Sequence, residues 1–294
     1  MRRWARLGLL AVGGVAAASG MGAVAGGVAW RRATTEKVAR LQRWADRRGG
    51  ARDRDAFSRA RLDGLPAPVA RYLAFALSER QRCIQFARIR WTGEFQSRPG
   101  GGWGRFAAEQ HFTVVPPGFV WDAKIQIKPL IPVRVRDSYI AGAATMLGRV
   151  AGLVPVVDEG DTAEIAASAL VRWLGEAVWF PTALLPEEAP GEGVRWQAID
   201  DTTARATLTD GATNVAAEFD FGPGGEITGM TAQRYRDVNG KGVLTPFEVR
   251  YRAYARRAGI MVPLSAEAAW LLPEGRYPYW RGQPADIAYE LAAA

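Results

Sequence analysis

The sequence predicts an α+β protein: a curved antiparallel β-sheet of about ten strands, half-barrel-like, covered by one central helix and preceded by an N-terminal transmembrane helix. Three observations carry this. From Ile84 onward apolar and polar residues alternate with the period of two that marks a half-buried strand. One stretch, residues 161 to 180, breaks that period with apolar residues at helical spacing. At the other end, Leu7 to Trp30 is a run without a charged residue, flanked by Arg2, Arg3 and Arg6 before it and by Arg31 and Arg32 after it.

The N-terminal run is long enough to span a bilayer with some tilt. Its rival reading is a cleaved signal peptide ending at Ala16, Ala17 and Ala18, but the apolar run continues well past that site. Gly22 and Gly26 have the spacing that lets two membrane helices approach closely, so a homodimer through this segment is one expected partner. Thr34 to Arg48 then reads as a short helix with Val38, Leu41, Trp44 and Ala45 on one side and Lys37, Arg40, Arg43, Arg47 and Arg48 around the rest. It is suited to anionic headgroups or to a solvated spacer. The expected domains are an anchor over 1–32, a basic juxtamembrane helix and linker over 33–64, and a β-rich domain over 65–294.

Charge placement supports a membrane partner over nucleic acid. The chain of 294 residues carries a net charge of +8, yet residues 1–54 hold 12 Lys and Arg against 3 Asp and Glu, so the remainder is close to neutral. A nucleic-acid footprint would lie on the folded domain; here the excess lies on the anchor. The basic flank after the span tips the main domain toward the cytoplasmic side, and the arginines before it pull the other way, leaving sidedness open. Cys83, the single cysteine, excludes an internal disulfide.

Leu65 to Leu77 begins with prolines suited to a first helical turn and places Val69, Tyr72, Leu73 and Leu77 on one face, predicting a short amphipathic helix. Ile89, Trp91 and Phe95 then alternate with Arg88, Arg90 and Glu94, and after the Pro99 to Gly102 turn the strand of Phe106, Ala108, Phe112 and Val114 follows. Phe119, Trp121, Ala123, Ile125 and Ile127 should point inward on the next strand, and Ile131 to Ile140 forms another. In the central helix, Ile165, Ala169, Leu170, Trp173, Leu174, Ala177 and Val178 make one stripe, Asp161 or Thr162 caps the start and Pro181 stops the run. Hairpins follow, with turns at Asp210-Gly211, Gly222 to Gly225 and Asn239-Gly240. Connections this short pair neighbouring strands antiparallel.

The segments Leu65 to Leu73, Trp103 with Phe106, Glu176 to Pro186, Trp196 with Asp200 and Asp201, Arg234 with Tyr235, and Tyr279 to Gly282 together resemble a bacterial family known only as a domain of unknown function. The resemblance implies a fold and membrane association but no chemistry. More loosely, the alternation is similar to that of the curved half-barrels of bacterial lipoprotein carriers, whose concave face holds acyl chains.

Candidate chemistry is sparse, and no cofactor is implied. His111 is the single histidine, it shares a strand face with Glu109, and no Gly-x-Ser-x-Gly elbow exists to accompany it. Glu176, among aromatic residues, is a candidate proton donor with a raised pKa, although Arg172 stands four residues before it, at pairing distance on a helix. Asp200 and Asp201 are a candidate acid-base pair or simply a turn. Asp237, Asn239 and Glu248 occupy calcium-loop places, but Lys241 replaces a ligand and a hairpin turn explains the same residues. For an apolar ligand the candidates are Trp173, Trp179, Phe180, Trp121, Trp280 and Arg281. The expected function is binding of an apolar ligand such as a lipid; the alternatives are a hydrolase or isomerase using Glu176 or the aspartate pair, and a structural envelope protein with a filled core.

Overall fold

The computed structural model describes residues 20–48, 56–128, 131–150, 154–160, 162–186 and 193–292. One antiparallel sheet of thirteen strands dominates it, with spatial order β6-β5-β4-β3-β2-β1-β13-β12-β11-β10-β9-β8-β7. Two meanders make up this order. The first comprises β1 (Ile84–Phe95), β2 (Gly104–Thr113), β3 (Gly118–Lys128), β4 (Ile131–Ile140), β5 (Ala143–Val150) and β6 (Val154–Gly160). The second comprises β7 (Gly193–Ala198), β8 (Thr203–Asp210), β9 (Thr213–Phe221), β10 (Ile227–Val238), β11 (Lys241–Arg257), β12 (Ile260–Leu272) and β13 (Gly275–Leu291). They join where β1 pairs with β13 from Ile84 opposite Leu291 to Phe95 opposite Trp280. Because β6 and β7 remain unpaired edges, the curled sheet is a half-barrel rather than a closed one.

The expected inward residues of β3, Phe119, Trp121, Ala123 and Ile125, are buried, as period-two alternation requires. The sheet has more strands than expected. β5 and β6 were missed because their burial alternates weakly, with mostly half-buried or exposed positions.

Helix α1 (Gly20–Arg47), helix α2 (Ala67–Ala76) and helix α3 (Ala163–Glu176) complete the fold. α2 starts on Pro66 and buries Val69, Tyr72 and Leu73, the face expected from the sequence. α3 begins at Thr162, whose Oγ1 accepts the Ile165 N–H at 3.3 Å, and continues as 3₁₀ turns through Ala177–Trp179 and Pro181–Leu184. The core also reaches upstream of Leu65: Phe57 is 1% exposed, and its backbone pairs with Gln81 and Arg80.

Helix α1, which takes in the Thr34 to Arg48 stretch as far as Arg47, differs from both expectations for that stretch. It is continuous from Gly20, and its apolar stripe is neither solvated nor free for headgroups, because it lies on the convex face of the sheet. Leu41 packs with Val120 and Ile140, flanked by Val38 and Trp44. Trp30 Nε1 donates to Asp122 Oδ1 at 2.8 Å, Thr34 Oγ1 donates to Asp122 Oδ2 at 3.1 Å, and Lys37 Nζ donates to Thr145 Oγ1 at 2.5 Å. The Arg136 guanidinium lies over the Trp30 ring at 4.7 Å. Gly118 permits the approach, since a Cβ there would stand 2.6 Å from Leu41 Cδ1. Burying Leu41 in this way contributes about 1.5–3 kcal/mol to docking. Among the described residues no helix is long and apolar enough to cross a membrane. Residues 1–19 of the expected anchor, including most of the uncharged run and the alanine site, lie outside the described residues, as do 49–55 of the expected linker.

Candidate functional site

Side chains on the concave face of the half-barrel are fully buried at one end, here called closed, and half-buried at the other, here called open. At the closed end the aromatic motif after α3 is a plug. Trp173, Trp179 and Phe180 are 1%, 2% and 0% exposed. Trp173 Nε1 donates to Thr113 O at 3.0 Å and Trp179 Nε1 to Pro263 O at 2.8 Å, while Tyr289 Oη donates to Trp179 O at 2.6 Å. The Trp179 ring meets Trp91 edge to face at 4.7 Å. Thr182 Oγ1 accepts the Ile84 N–H at 3.0 Å, tying the plug to the first strand.

Toward the open end the lining remains aromatic but loosens. Phe106 stacks on Trp280 at 5.8 Å and meets Trp121 at 6.1 Å. Phe95 meets Tyr279 at 5.9 Å, and Tyr279 stacks on Trp270 at 5.8 Å. Phe95, Tyr277, Tyr279 and Trp280 stay half-buried. Two consecutive residues, Tyr279 and Trp280, both reach concave-face aromatics because the register between β12 and β13 shifts after Ala268, leaving Tyr279 as the extra residue of a bulge. Room for the rings comes from Gly93, directly opposite Phe106, where a Cβ would stand 2.8 Å from Phe106 Cε1 and 2.1 Å from Arg281 O.

Between the two ends lies a polar network carried by α3. Arg172 Nε donates to Glu176 Oε1 at 3.0 Å and Arg172 Nη1 to Asp137 Oδ2 at 2.8 Å. Gln110 Nε2 donates to Glu176 Oε2 at 2.8 Å and its Oε1 accepts Trp91 Nε1 at 3.0 Å. The Arg172 guanidinium also sits 5.0 Å from both the Phe119 and Trp121 rings. Burial raises the Glu176 pKa, opposed by Arg172 and Gln110. Burial likewise works against the charge of Arg172, and the Glu176 and Asp137 carboxylates overcome it. Deep as they are, the two side chains keep 17% and 14% of their surface accessible.

The structure does not bring the remaining sequence candidates together. His111 lies on the opposite face of β2 from Gln110, with Nε2 2.9 Å from Glu109 Oε1. Asp200 and Asp201 form the turn between β7 and β8; Asp200 Oδ1 accepts the Thr202 N–H at 2.7 Å, which lowers the Asp200 pKa. Arg281 is directed away from Trp280, pairing with Glu94 and covering the Trp103 ring at 4.3 Å. Asp237 lies near the end of β10 and Asn239 in the turn to β11, where Asp237 Oδ1 accepts the Gly240 N–H at 2.7 Å. Glu248, paired with Arg250 and Arg276, stands opposite Thr231, six residues up the strand from Asp237, or about 20 Å away. No calcium loop is formed by these three. Among the described residues no group of three or more His, Cys, Asp or Glu is placed to hold a metal ion.

Sequence reasoning missed Asp137, Gln110, Arg234 and Arg236 in this face. Arg234 and Arg236 stand opposite Thr245 and Val243, on the side of β10 and β11 that buries Phe247 and Tyr251. Their place in the alternation was the available signal, since Met230 and Ala232 precede them at the same parity. A shallow groove of about 330 Å³ lined by Val28, Arg31, Arg32, Thr35 and Glu36 lies on α1, apart from the concave face.

A family model described as a family of unknown function (DUF6544) matches residues 55–282. The chain belongs to this family. The matched span takes in the first meander, the second as far as Gly282 in β13, the plug and the polar network. No curated protein matches the chain. Among solved structures, a LolA superfamily protein from Nitrosomonas europaea aligns over 79% of this chain and 95% of its own, with 9% identity and a TM-score of 0.36. A DUF1329 family protein from Desulfovibrio piger aligns over 72% and 88%, with 8% identity and a TM-score of 0.38. A beta-barrel-like DUF1849 protein from Brucella abortus aligns over 71% and 99%, with 12% identity and a TM-score of 0.25.

Proposed function

We propose that the protein is a membrane-attached binder of an apolar ligand such as a lipid, taken into the open end of the half-barrel. One observation carries this reading: the aromatic lining that the plug leaves half-buried, at Phe95, Tyr277, Tyr279 and Trp280, leads inward to charged side chains that still have accessible surface. A concave, mostly apolar face with a few convergent polar groups is the usual form of a small-molecule site. Attachment rests on the uncharged run from Leu7 and its arginine flanks, and a homodimer through Gly22 and Gly26 belongs to the same reading.

A second reading, an enzyme acting on a hydrophobic substrate, has one observation in its favour: the raised pKa of Glu176, which suits a proton donor. Against it, His111, Asp200 and Asp201 lie away from Glu176, and Arg172 and Gln110 already occupy its oxygens. Native mass spectrometry of the purified full chain separates the readings. Bound lipid is expected, diminished by Trp280→Ala and unchanged by Glu176→Gln. Recovery of the unaltered chain free of lipid, with no uptake on adding it, refutes binding.

A further inference from the structure

Among the described residues the guanidinium groups of Arg172, Arg234 and Arg236 face the concave side of the half-barrel. Asp137 and Glu176 bind Arg172. Arg234 instead donates from Nε to Ser168 O and from Nη1 to Tyr279 Oη, each at 3.1 Å, and lies over the Phe247 and Trp270 rings at 5.0 and 5.7 Å. Arg236, two residues nearer the rim on the same side of β10, has a buried Nε with no acceptor. Among the described residues neither Arg234 nor Arg236 reaches a carboxylate at ion-pair distance. On the opposite wall Trp121 is 5% exposed, and its Nε1 also lacks an acceptor. A buried donor left without a partner is costly, so two of them on one apolar concavity, one belonging to a cationic guanidinium, mark a place for an oxyanion.

We infer that the ligand is an amphiphile with an oxyanion head, a carboxylate or a phosphate ester, held at Arg234 and Arg236 with its tail along the aromatic wall of Phe95, Phe106, Trp121 and Trp280. This rests on the binding function proposed above and adds the head group to it. Guanidinium forks suit carboxylate and phosphate oxygens, and the stacking of Arg234 on Phe247 and Trp270 fixes that fork before the ligand arrives. Trp121 Nε1 supplies a further donor on the facing wall.

Calorimetric titration of the full chain, stripped of lipid and kept soluble in an amphipathic polymer, tests this with decanoate, decyl phosphate, decanol and inorganic phosphate. One of the two anionic amphiphiles should bind about 10-fold or more tighter than decanol, the worth of a charged hydrogen bond, and inorganic phosphate alone should bind far more weakly. Arg236→Gln, which loses no side-chain hydrogen bond of the folded chain, should bring the anion down to the affinity of decanol. Trp121→Phe keeps an aromatic ring in the wall but removes the N–H, and should weaken the anion about 3-fold or more beyond any loss seen with decanol. Equal affinity for anion and alcohol, or an anion preference untouched by both variants, overturns the head-group assignment and leaves apolar binding standing. Tight binding of inorganic phosphate overturns the amphiphile. Binding of none of the four overturns both this inference and the proposed function.

Discussion

At the closed end of the concave face Trp173, Trp179 and Phe180 are almost fully buried and both indole N–H groups find backbone carbonyls; at the open end Phe95, Tyr277, Tyr279 and Trp280 are half-buried, and Trp121 Nε1 and Arg236 Nε have no acceptor. Both ends are aromatic, so composition does not separate them. What separates them is whether polar atoms are satisfied and whether helix α3 covers the ring faces. An aromatic cluster whose polar atoms are all paired behaves as core. One that leaves donors over has unfinished contacts, and a ligand is the natural partner for them. The motif that stands out most in the sequence, Trp173 to Pro186, is therefore the scaffold, and the less conspicuous Tyr279 and Trp280 lie at the open end.

The contrast breaks most visibly under truncation. Trp179→Ala should cost about 3–5 kcal/mol in urea unfolding, because it leaves a cavity beside Trp91 and an unpaired Pro263 carbonyl. A cost below about 1 kcal/mol would make the plug part of the cavity. Trp280→Ala, at the open end, should cost only about 1–2 kcal/mol, since less of its surface leaves water on folding.

A smaller effect sharpens the boundary between the ends. Glu176 has a folded-state pKa above its unfolded value, so the stability it contributes is present below about pH 4.3 and is lost as pH rises through its raised value. Glu176→Gln cannot titrate. Urea midpoints at pH 4 and pH 8 should therefore show the wild type losing ground to the variant as pH rises. The opposite trend would mean that Arg172 and Gln110 outweigh burial. The smallest expected effect is none: calcium should leave the thermal midpoint unchanged, since Glu248 is paired with Arg250 and Arg276 away from Asp237. An upward shift abolished by Glu248→Gln would show otherwise.

The sheet was legible because alternation reports burial directly: Trp121 and Phe119 read as inward and are. The Arg172–Glu176 pair was legible from its four-residue spacing. Asp137 and Gln110 were not, because they meet α3 across 35 and 66 residues of chain and nothing local marks a tertiary partner. Arg234 and Arg236 were hidden by the ordinary rule that charge on a strand faces water. The bulge that turns Tyr279 inward breaks the period on which strand reading depends. The docking of α1 was invisible for a related reason: Val120 and Ile140 lie at positions of opposite parity to the concave core, where alternation expects solvent.

That docking also sets a direction. Leu41 lies beside Gly118 and Val120, and Trp30 beside Asp122, so α1 runs antiparallel to β3 and its N-terminal end points the way β3 travels, toward the end where Phe106 faces Ile125. Phe95 and Trp280 pair at that same end. Under the attachment proposed above, the half-barrel would stand mouth-down on α1 as a rigid post, since Trp30, Thr34 and Lys37 clamp the helix against swivelling. A hydrocarbon tail leaving the near leaflet would then pass into the aromatic wall without crossing the aqueous phase, and lengthening the post by one or two turns would slow exchange while leaving equilibrium affinity unchanged.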